Sequence, residues 1–432
     1  MSGASRLSRR QFGASMLAWS AVTMAPRLAA ARPQILKPRR SARGPSKLVV
    51  LFLAGGMDDL YSVDPKEPSQ VKKGILPVFA ASDLVTHGSL RLAPGWSCLQ
   101  PYLPRMQVIS GIQCSTVAHP TGNRQIRQMR RDVISEREAS FITLVGQSLA
   151  PDAILHAIHI NAGFYPAGPT ADGRVFVDDN GGKILAQLHK IANDGALRDI
   201  SRSALGAAVR TSCSGETCES FRVVDFLINK MSGTAAPAAP PASALVSRSE
   251  WPWHAWDDLK YGDAMEYAWV LYALQNDLAP AIFMSPRAWW DTHWNNEILQ
   301  RPGNHQFALG LRYLLDRLAA TPRGDGRALL DEVGFLVVSE LGRFPYVNAF
   351  GGKDHYPQIS ATLIGPGLRP GKFGETSSEM VGAAVSLSTG HPGSGATLMT
   401  LDDLGRTVLE WVGNPDPEGL GYDGRVLDFC FA

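Results

Sequence analysis

The chain is 432 residues long, with 45% hydrophobic and 19% charged side chains, which excludes a disordered or collagen-like polymer. Lys and Arg number 42 against 40 Asp and Glu, yet nine of the basic residues fall in positions 1–46, where no acid occurs. From Lys47 onward the balance is 33 basic to 40 acidic residues, a net −7 that argues against nucleic acid as a partner.

The basic leader reads as an export signal. Residues 8–12 are Ser-Arg-Arg-Gln-Phe, which resembles a twin-arginine motif in all but its last positions. A moderately apolar stretch runs from Phe12 to Ala25, followed by Pro26 and the small-residue site Ala29-Ala30-Ala31. Charged region, apolar region and A-x-A site are the three parts of a signal peptide. Residues 1–31 are therefore expected to engage the twin-arginine translocase, placing the mature chain in the periplasm or outside the cell. An amphipathic anchor helix is the alternative. Residues 32–46 read as a basic, unstructured spacer. No apolar run reaches the ~18–20 residues of a membrane-spanning helix, so no integral span is expected in the mature chain.

Three short apolar runs follow in chain order. Lys47 to Leu53 ends in Ala54-Gly55-Gly56-Met57-Asp58-Asp59. Val333 to Val338 ends in Ser339-Glu340-Leu341-Gly342-Arg343, and Ile359 to Ile364 ends in Gly365-Pro366-Gly367. Runs rich in Val, Ile, Leu and Phe, bounded by turn residues, predict strands buried on both faces. Helical periodicity between them covers Gly262 to Leu278, His305 to Ala320 and Asp402 to Val412. The alternation predicts an α/β fold over residues 47–432: a mostly parallel central sheet with helices on both faces. Ligands of such sheets bind beyond the carboxyl ends of the strands. Asp58, Asp59 and Glu340 are delivered there. The Ala/Pro/Ser-rich stretch 231–250 reads as a flexible surface loop or hinge. Cys213 and Cys218 are close enough in sequence to close a small disulfide in an oxidising compartment. Cys98, Cys114 and Cys430 are isolated and read as small buried hydrophobes.

Two motifs carry most of the chemistry. In Trp290-Asp291-Thr292-His293, Asp and His stand two apart, so an extended backbone points both to one side. Carboxylate oxygen with imidazole nitrogen suits zinc, manganese or iron, although a plain Asp–His hydrogen bond is the simpler reading. In Gly351-Gly352-Lys353-Asp354-His355-Tyr356-Pro357, two glycines free the backbone to bring Asp354 and His355 close to an ion.

The series LFLAGGMDDL, DTHWNN, SELGRFP, GGKDHYP and LIGPGLRPGKFGET resembles the bacterial family called domain of unknown function 1501, within the alkaline phosphatase and sulfatase superfamily. The resemblance runs from about Lys47 to Pro415. It implies an alkaline phosphatase-like fold, often exported by the twin-arginine route. It also implies divalent metal, usually two ions, and hydrolysis of a phosphate or sulfate ester. Carried over, it assigns metal roles to Asp58, Asp291, His293, Glu340 and His355, with Asp354 beside them. The ion it implies is zinc, manganese, calcium or magnesium, with the choice left open. Three positions depart from the pattern. Leu341 stands where a histidine is expected, Asp59 replaces a glycine after Asp58 and is either a further ligand or a change of turn, and Ala118-His119-Pro120 replaces Ser-His-Phe. His119 still has the site within reach.

The nucleophile is a separate question. Cys114-Ser115-Thr116 follows the apolar run Gln107 to Ile112, where a strand-end hydroxyl would sit, so Thr116 and Ser115 are candidates. Helix capping or core packing is their alternative role, and water activated by metal could replace them. Arg343 is a candidate clamp for phosphate or sulfate, or else the partner of a site acid. His305 is a candidate support for the site, His156 and His159 read as structural, and His391 lies in a Gly-rich loop. Trp251, Trp253 and Trp256, with Trp289, Trp290 and Trp294 around Asp291, suit either a glycan platform or core packing. The expected activity is metal-dependent hydrolysis of a small-molecule or glycan ester. The alternative is a catalytically degenerate member that serves as a binding module.

Overall fold

The computed structural model describes residues 44–132, 140–161, 175–178, 180–212, 216–246, 264–288, 290–414 and 419–432. The leader, Cys213, Trp251, Trp253, Trp256 and Trp289 lie outside them, as does the side chain of Cys218. The expectations about export, the disulfide and the first tryptophan cluster fall on those residues.

Twelve strands are described: β1 (Lys47–Phe52), β2 (Val85–His87), β3 (Leu90–Leu92), β4 (Met106–Gln113), β5 (Ala157–Ile160), β6 (Val175–Asp178), β7 (Ala281–Met284), β8 (Val333–Val338), β9 (Gly342–Arg343), β10 (His355–Tyr356), β11 (Gln358–Ile364) and β12 (Gly371–Phe373). Eight of them form one sheet in the order β12-β4-β11-β8-β1-β7-β5-β6. The helices are α1 (His119–Gln128), α2 (Phe141–Leu149), α3 (Lys183–Asn193), α4 (Gly195–Ser212), α5 (Glu216–Met231), α6 (Met265–Gln275), α7 (Asn296–Ala319) and α8 (Leu401–Trp411). No helix among the described residues is long and apolar enough to cross a membrane.

The sheet is buried on both faces, as its unbroken apolar strands require. Along β1, Val49 and Leu51 enter one core with Leu99, Leu271, Phe307 and Leu311. Leu48, Val50 and Phe52 enter the opposite core with Val145, Leu404 and Trp411. Burial of each such side chain contributes roughly 1.5–3 kcal/mol. These two layers fix β1 as the central strand.

One expected strand runs the other way. β1 is parallel to β7 and β8, and β5 to β6 and β7, but β11 is antiparallel to both β8 and β4. A parallel return needs a crossover of a dozen or more residues, usually a helix. Here the chain leaves β8 and re-enters at the same sheet edge through the small β9–β10 ladder, where His355 pairs with Arg343. The Gly-Gly-Lys-Asp-His segment therefore precedes β11 at the carboxyl end of β8. The end of β4 lies at this edge too, so β1, β4, β7 and β8 all deliver loops to one place.

One further difference from expectation is local. α7 begins at Asn296, well before His305, and continues through the buried Pro302. Residues 232–246 run over the surface and are pinned at two points: Thr234 Oγ1 is 2.6 Å from the Tyr272 hydroxyl, and the Val246 N–H donates to Gln306 Oε1 at 2.8 Å.

Candidate metal centre

Backbone bonds first lock the strand-end loops together. Gly55 has φ +118°, and a Cβ there would sit 2.6 Å from the Asp291 nitrogen, so only glycine lets the β1 loop touch the Asp291 loop. The Gly55 N–H donates to Glu340 Oε1 at 2.7 Å, and the Met57 N–H to Ser339 Oγ at 3.1 Å. Gln300, on the buried face of α7, accepts from the Asp58 N–H at 3.1 Å. Its Nε2 donates at 2.9 Å to the carbonyls of both Gly56 and Trp290. One amide thus joins the loops after β1 and β7.

Within that frame three imidazoles close on the Asp291 carboxylate. His119 Nε2 lies 3.3 Å from Asp291 Oδ2, while His355 Nε2 and His293 Nε2 lie 3.3 Å and 3.2 Å from Oδ1. Each ring is held by its other nitrogen. His119 Nδ1 meets Glu340 Oε1 at 2.7 Å, His355 Nδ1 donates to the Val117 carbonyl at 2.5 Å, and His293 Nδ1 meets Asp354 Oδ1 at 3.1 Å. With the ring protons on Nδ1, facing those acceptors, the three Nε2 lone pairs would turn inward, the arrangement that supporting partners impose on metal-binding histidines. The ligand atoms of His119, Asp291 and His355 fall within 4.8 Å of one another.

The cluster could hold a cation. His293 Nε2 and His355 Nε2 face each other at 2.9 Å, a distance that either a shared N–H···N proton or a cation beside the two nitrogens accounts for. His119 Nε2 is buried, and its neighbour is the Asp291 carboxylate. Electrostatics agree. The Asp291 and then the Glu340 carboxylate raise His119 from 6.5 to about 9, against burial. Burial opposes ionisation of Asp291, yet hydrogen bonds with His119, His355 and Arg343 hold its carboxyl well below the usual range. The site is half open, lined by His119, Asp291 and His355 at intermediate exposure.

Arg343 is the pairing residue and not an open clamp. Its side chain is 0% exposed. Nη2 donates to Asp291 Oδ1 at 2.7 Å and to the Gly55 carbonyl, Nη1 to the Lys353 carbonyl at 2.9 Å, and Nε to the Gly56 carbonyl at 3.2 Å. With the fork turned inward, it orients Asp291 and leaves no face for substrate.

Asp58 and Asp59 do not join the cluster. Asp58 is buried: its Oδ1 caps the turn at Leu60, and its Oδ2 accepts from Asn296 Nδ2 at 2.9 Å and pairs with Lys353 Nζ at 2.7 Å. Asp59 turns to β11, where Ser360 Oγ donates to its Oδ2 at 2.7 Å, and burial lifts its carboxyl to about 7. The sequence pattern correctly aimed these acids at the strand end, but the turn following Gly56 sends them beneath it.

The hydroxyl candidates serve the entry to α1. Thr116 Oγ1 accepts from the Ala118 N–H at 3.0 Å, and Gln125 Nε2 donates to Ser115 Oγ at 2.5 Å. Neither has a base as its partner there. Leu341, at the position where a histidine was expected, is fully buried beside Gly56, while His119 supplies an imidazole from the β4–α1 connection. His159 stacks on Phe283 in the core, where burial pulls it down to about 3, and His156 is buried beside it. His391 pairs with Glu375 at 3.6 Å on an exposed loop away from these contacts. Trp290 is core, 1% exposed against Phe307, whereas Trp294 is 43% exposed and Phe350 is 77% exposed. The segments of Trp294 and Phe350 lie side by side next to His293, since Trp294 bridges to Gly351. Gln300 and Asn348 lie outside the quoted motifs, and Asn296 and Lys353 lie inside them without a role assigned, because polar residues inside a helix or loop ordinarily face water.

Fold and site together define an α/β protein with a mostly parallel sheet whose strand-end loops assemble a His/Asp cluster of metal-binding type. Residues 274–393, which hold Asp291, His293, Glu340, Arg343, Asp354 and His355, match the family model described as "Protein of unknown function (DUF1501)". That is the family the motifs resemble. No curated protein matches the chain. Solved structures similar to it include a protein in the alkaline phosphatase superfamily from Vibrio parahaemolyticus, at 10% identity and TM-score 0.38, covering 94% of this chain and 76% of that one. A sulfatase from Pseudoalteromonas sp. aligns at 12% identity and TM-score 0.37, covering 99% and 76%. The alkaline phosphatase of the Antarctic bacterium TAB5 aligns at 11% identity and TM-score 0.32, covering 75% and 92%.

Proposed function

We propose that the protein is an exported, metal-dependent hydrolase of a phosphate or sulfate ester on a small molecule or glycan. The observation that carries this reading is the convergence of three Nε2 atoms, from His119, His293 and His355, on the Asp291 carboxylate. A set dominated by imidazole fits zinc, manganese or iron better than calcium or magnesium, which take mainly oxygen ligands. His119, Asp291 and His355 would hold the ion, with His293 beside them. When bound, a divalent cation supplies Lewis-acid polarisation of an ester oxygen.

The chain's own residues do the rest. Glu340 and the Val117 carbonyl fix the ring orientation of His119 and His355. Arg343 keeps Asp291 ionised and aimed. Because Ser115 and Thr116 are bonded to α1 and its N-terminal turn, direct attack by water is favoured over a covalent intermediate. Trp294 and Phe350 offer an apolar wall to the organic part of a substrate. The inward-turned Arg343 favours a second reading, a metal-holding binding module, because it removes the obvious anion clamp.

The test is turnover of aryl phosphate and aryl sulfate by the mature chain loaded with zinc or manganese. Hydrolysis that needs metal and is lost in Asp291→Asn supports the enzyme. Tightly held metal with no turnover of either ester favours the binding module. Export is tested by fusing residues 1–31 to a reporter: loss of translocation in an Arg9→Lys, Arg10→Lys variant is expected.

A further inference from the structure

Two-ion chemistry is the expectation that the resemblance carries, and Asp58 is one of the acids to which it gives a metal role. The residues around Asp58 do not fit one. Lys353 Nζ sits 2.7 Å from Asp58 Oδ2, with side-chain exposures of 0% and 2%. Both carboxylate oxygens are engaged, Oδ1 by the Leu60 N–H and Oδ2 by Asn296 and Lys353. Lys353 has little freedom to leave, since its N–H donates to the Thr292 carbonyl at 2.9 Å and its carbonyl accepts from Arg343.

We infer that Lys353 is a built-in cation that takes the place of a metal ion at Asp58, so that the centre holds a single ion between His119, Asp291 and His355. The inference rests on the metal reading above and deepens it.

Charge balance supports the division. Below the site, Asp58, Asp59 and Asp64 are matched by Lys353, Lys66 and Lys372. Lys66 lies 2.8 Å from Asp64, Lys372 pairs with the same carboxylate, and Asp59 is tied to Ser360. With Asp59 ionised that group sums to zero, and with Asp59 protonated, as its burial favours, to +1, so a divalent ion added to it would be a buried excess positive charge. In the site itself, Asp291, Glu340 and Asp354 face the single guanidinium of Arg343. With the imidazoles neutral, as metal ligands must be, the sum is a charge of about −2, which one divalent ion cancels.

The lysine also lies within the motif. It occupies the free position of Gly351-Gly352-Lys353-Asp354-His355, one residue from the acid that holds His293. A Cβ at Gly352 would fall 1.9 Å from the His293 carbonyl, so the glycine lets this segment dive under the Asp291 loop and carry Lys353 to Asp58.

The experiment is metal stoichiometry by elemental analysis, after loading the full-length mature chain with excess zinc and desalting. Wild type is expected to retain about one ion per chain, and Asp58→Asn the same, since Asp58 holds no metal. Lys353→Met, which keeps the volume and removes the charge, is expected to gain up to about one further ion, and the Asp58→Asn, Lys353→Met double variant to lose that gain. Circular dichroism checks that each variant folds. Should Lys353→Met not fold, the wild-type and Asp58→Asn pair still decides. Two ions in wild type, one of them lost in Asp58→Asn, would overturn the inference while leaving the metal reading intact. No ion in wild type would overturn the metal reading itself.

Discussion

Two acidic pockets lie at the same sheet edge, only a loop apart, and they are built oppositely. Asp58 is sealed: lysine, amide and backbone donors take both oxygens, and no water-facing side remains. Asp291 is ringed by imidazole nitrogens that offer lone pairs, and it is half exposed. A carboxylate neutralised by a lysine on its own chain is a closed structural unit. One neutralised only in part, by an arginine shared with three carbonyls, leaves negative charge that an external cation could balance.

The sealed pocket should give the largest effects on stability. Asp58→Ala strands a buried ammonium and is expected to cost about 3–5 kcal/mol in urea unfolding, whereas adding Lys353→Met should recover much of it. Additive losses would mean that the pair is not a unit. Gly55→Ala comes next, at about 2–3 kcal/mol, because its φ of +118° and the neighbouring Asp291 nitrogen leave no room for a methyl group.

The open pocket should respond through metal. In His355→Ala, zinc affinity by calorimetry is expected to fall by more than ~100-fold while the far-ultraviolet spectrum stays unchanged. A wild-type affinity in that variant would show that His355 is not a ligand. Glu340→Gln should weaken zinc by about 10–100-fold, acting through the ring of His119 that it orients.

The smallest expected effect is the pH trend of the metal-free protein. His119 is raised from 6.5 to about 9 in the fold, so its charged form contributes stability that is fully present below 6.5 and lost as pH climbs to about 9. The melting temperature should drift down across that window and drift less in His119→Gln. Bound zinc should reverse the sign, since protons compete with metal for the same nitrogen.

What the sequence made legible, and what it hid, divides along the same line. Asp291, His293, Glu340, Asp354 and His355 stand in short motifs whose spacing shows that they share a direction, and they do meet. The apolar runs located β1, β8 and β11 to within a residue or two. Partner choice was hidden. Nothing in a motif separates an arginine that clamps substrate from one whose fork is turned inward, as in Arg343, because its donors go to carbonyls of Gly55, Gly56 and Lys353 that are remote or anonymous in sequence. Asp58 looked as available as Asp291 for the same reason: its lysine lies 295 positions away. The direction of β11 was hidden as well, since a strand buried on both faces shows the same apolar run whichever way it points. The roles of Gln300 and Asn296 were hidden too, because the helical pattern was read only from His305 and Pro302 masked the first turns of α7.

Zinc-edge anomalous diffraction from crystals soaked in zinc tests the central claim most directly. The account predicts one strong peak bounded by His119 Nε2, Asp291 and His355 Nε2, absent in Asp291→Asn. A peak beside Asp58, or no peak among the three histidines, would contradict it.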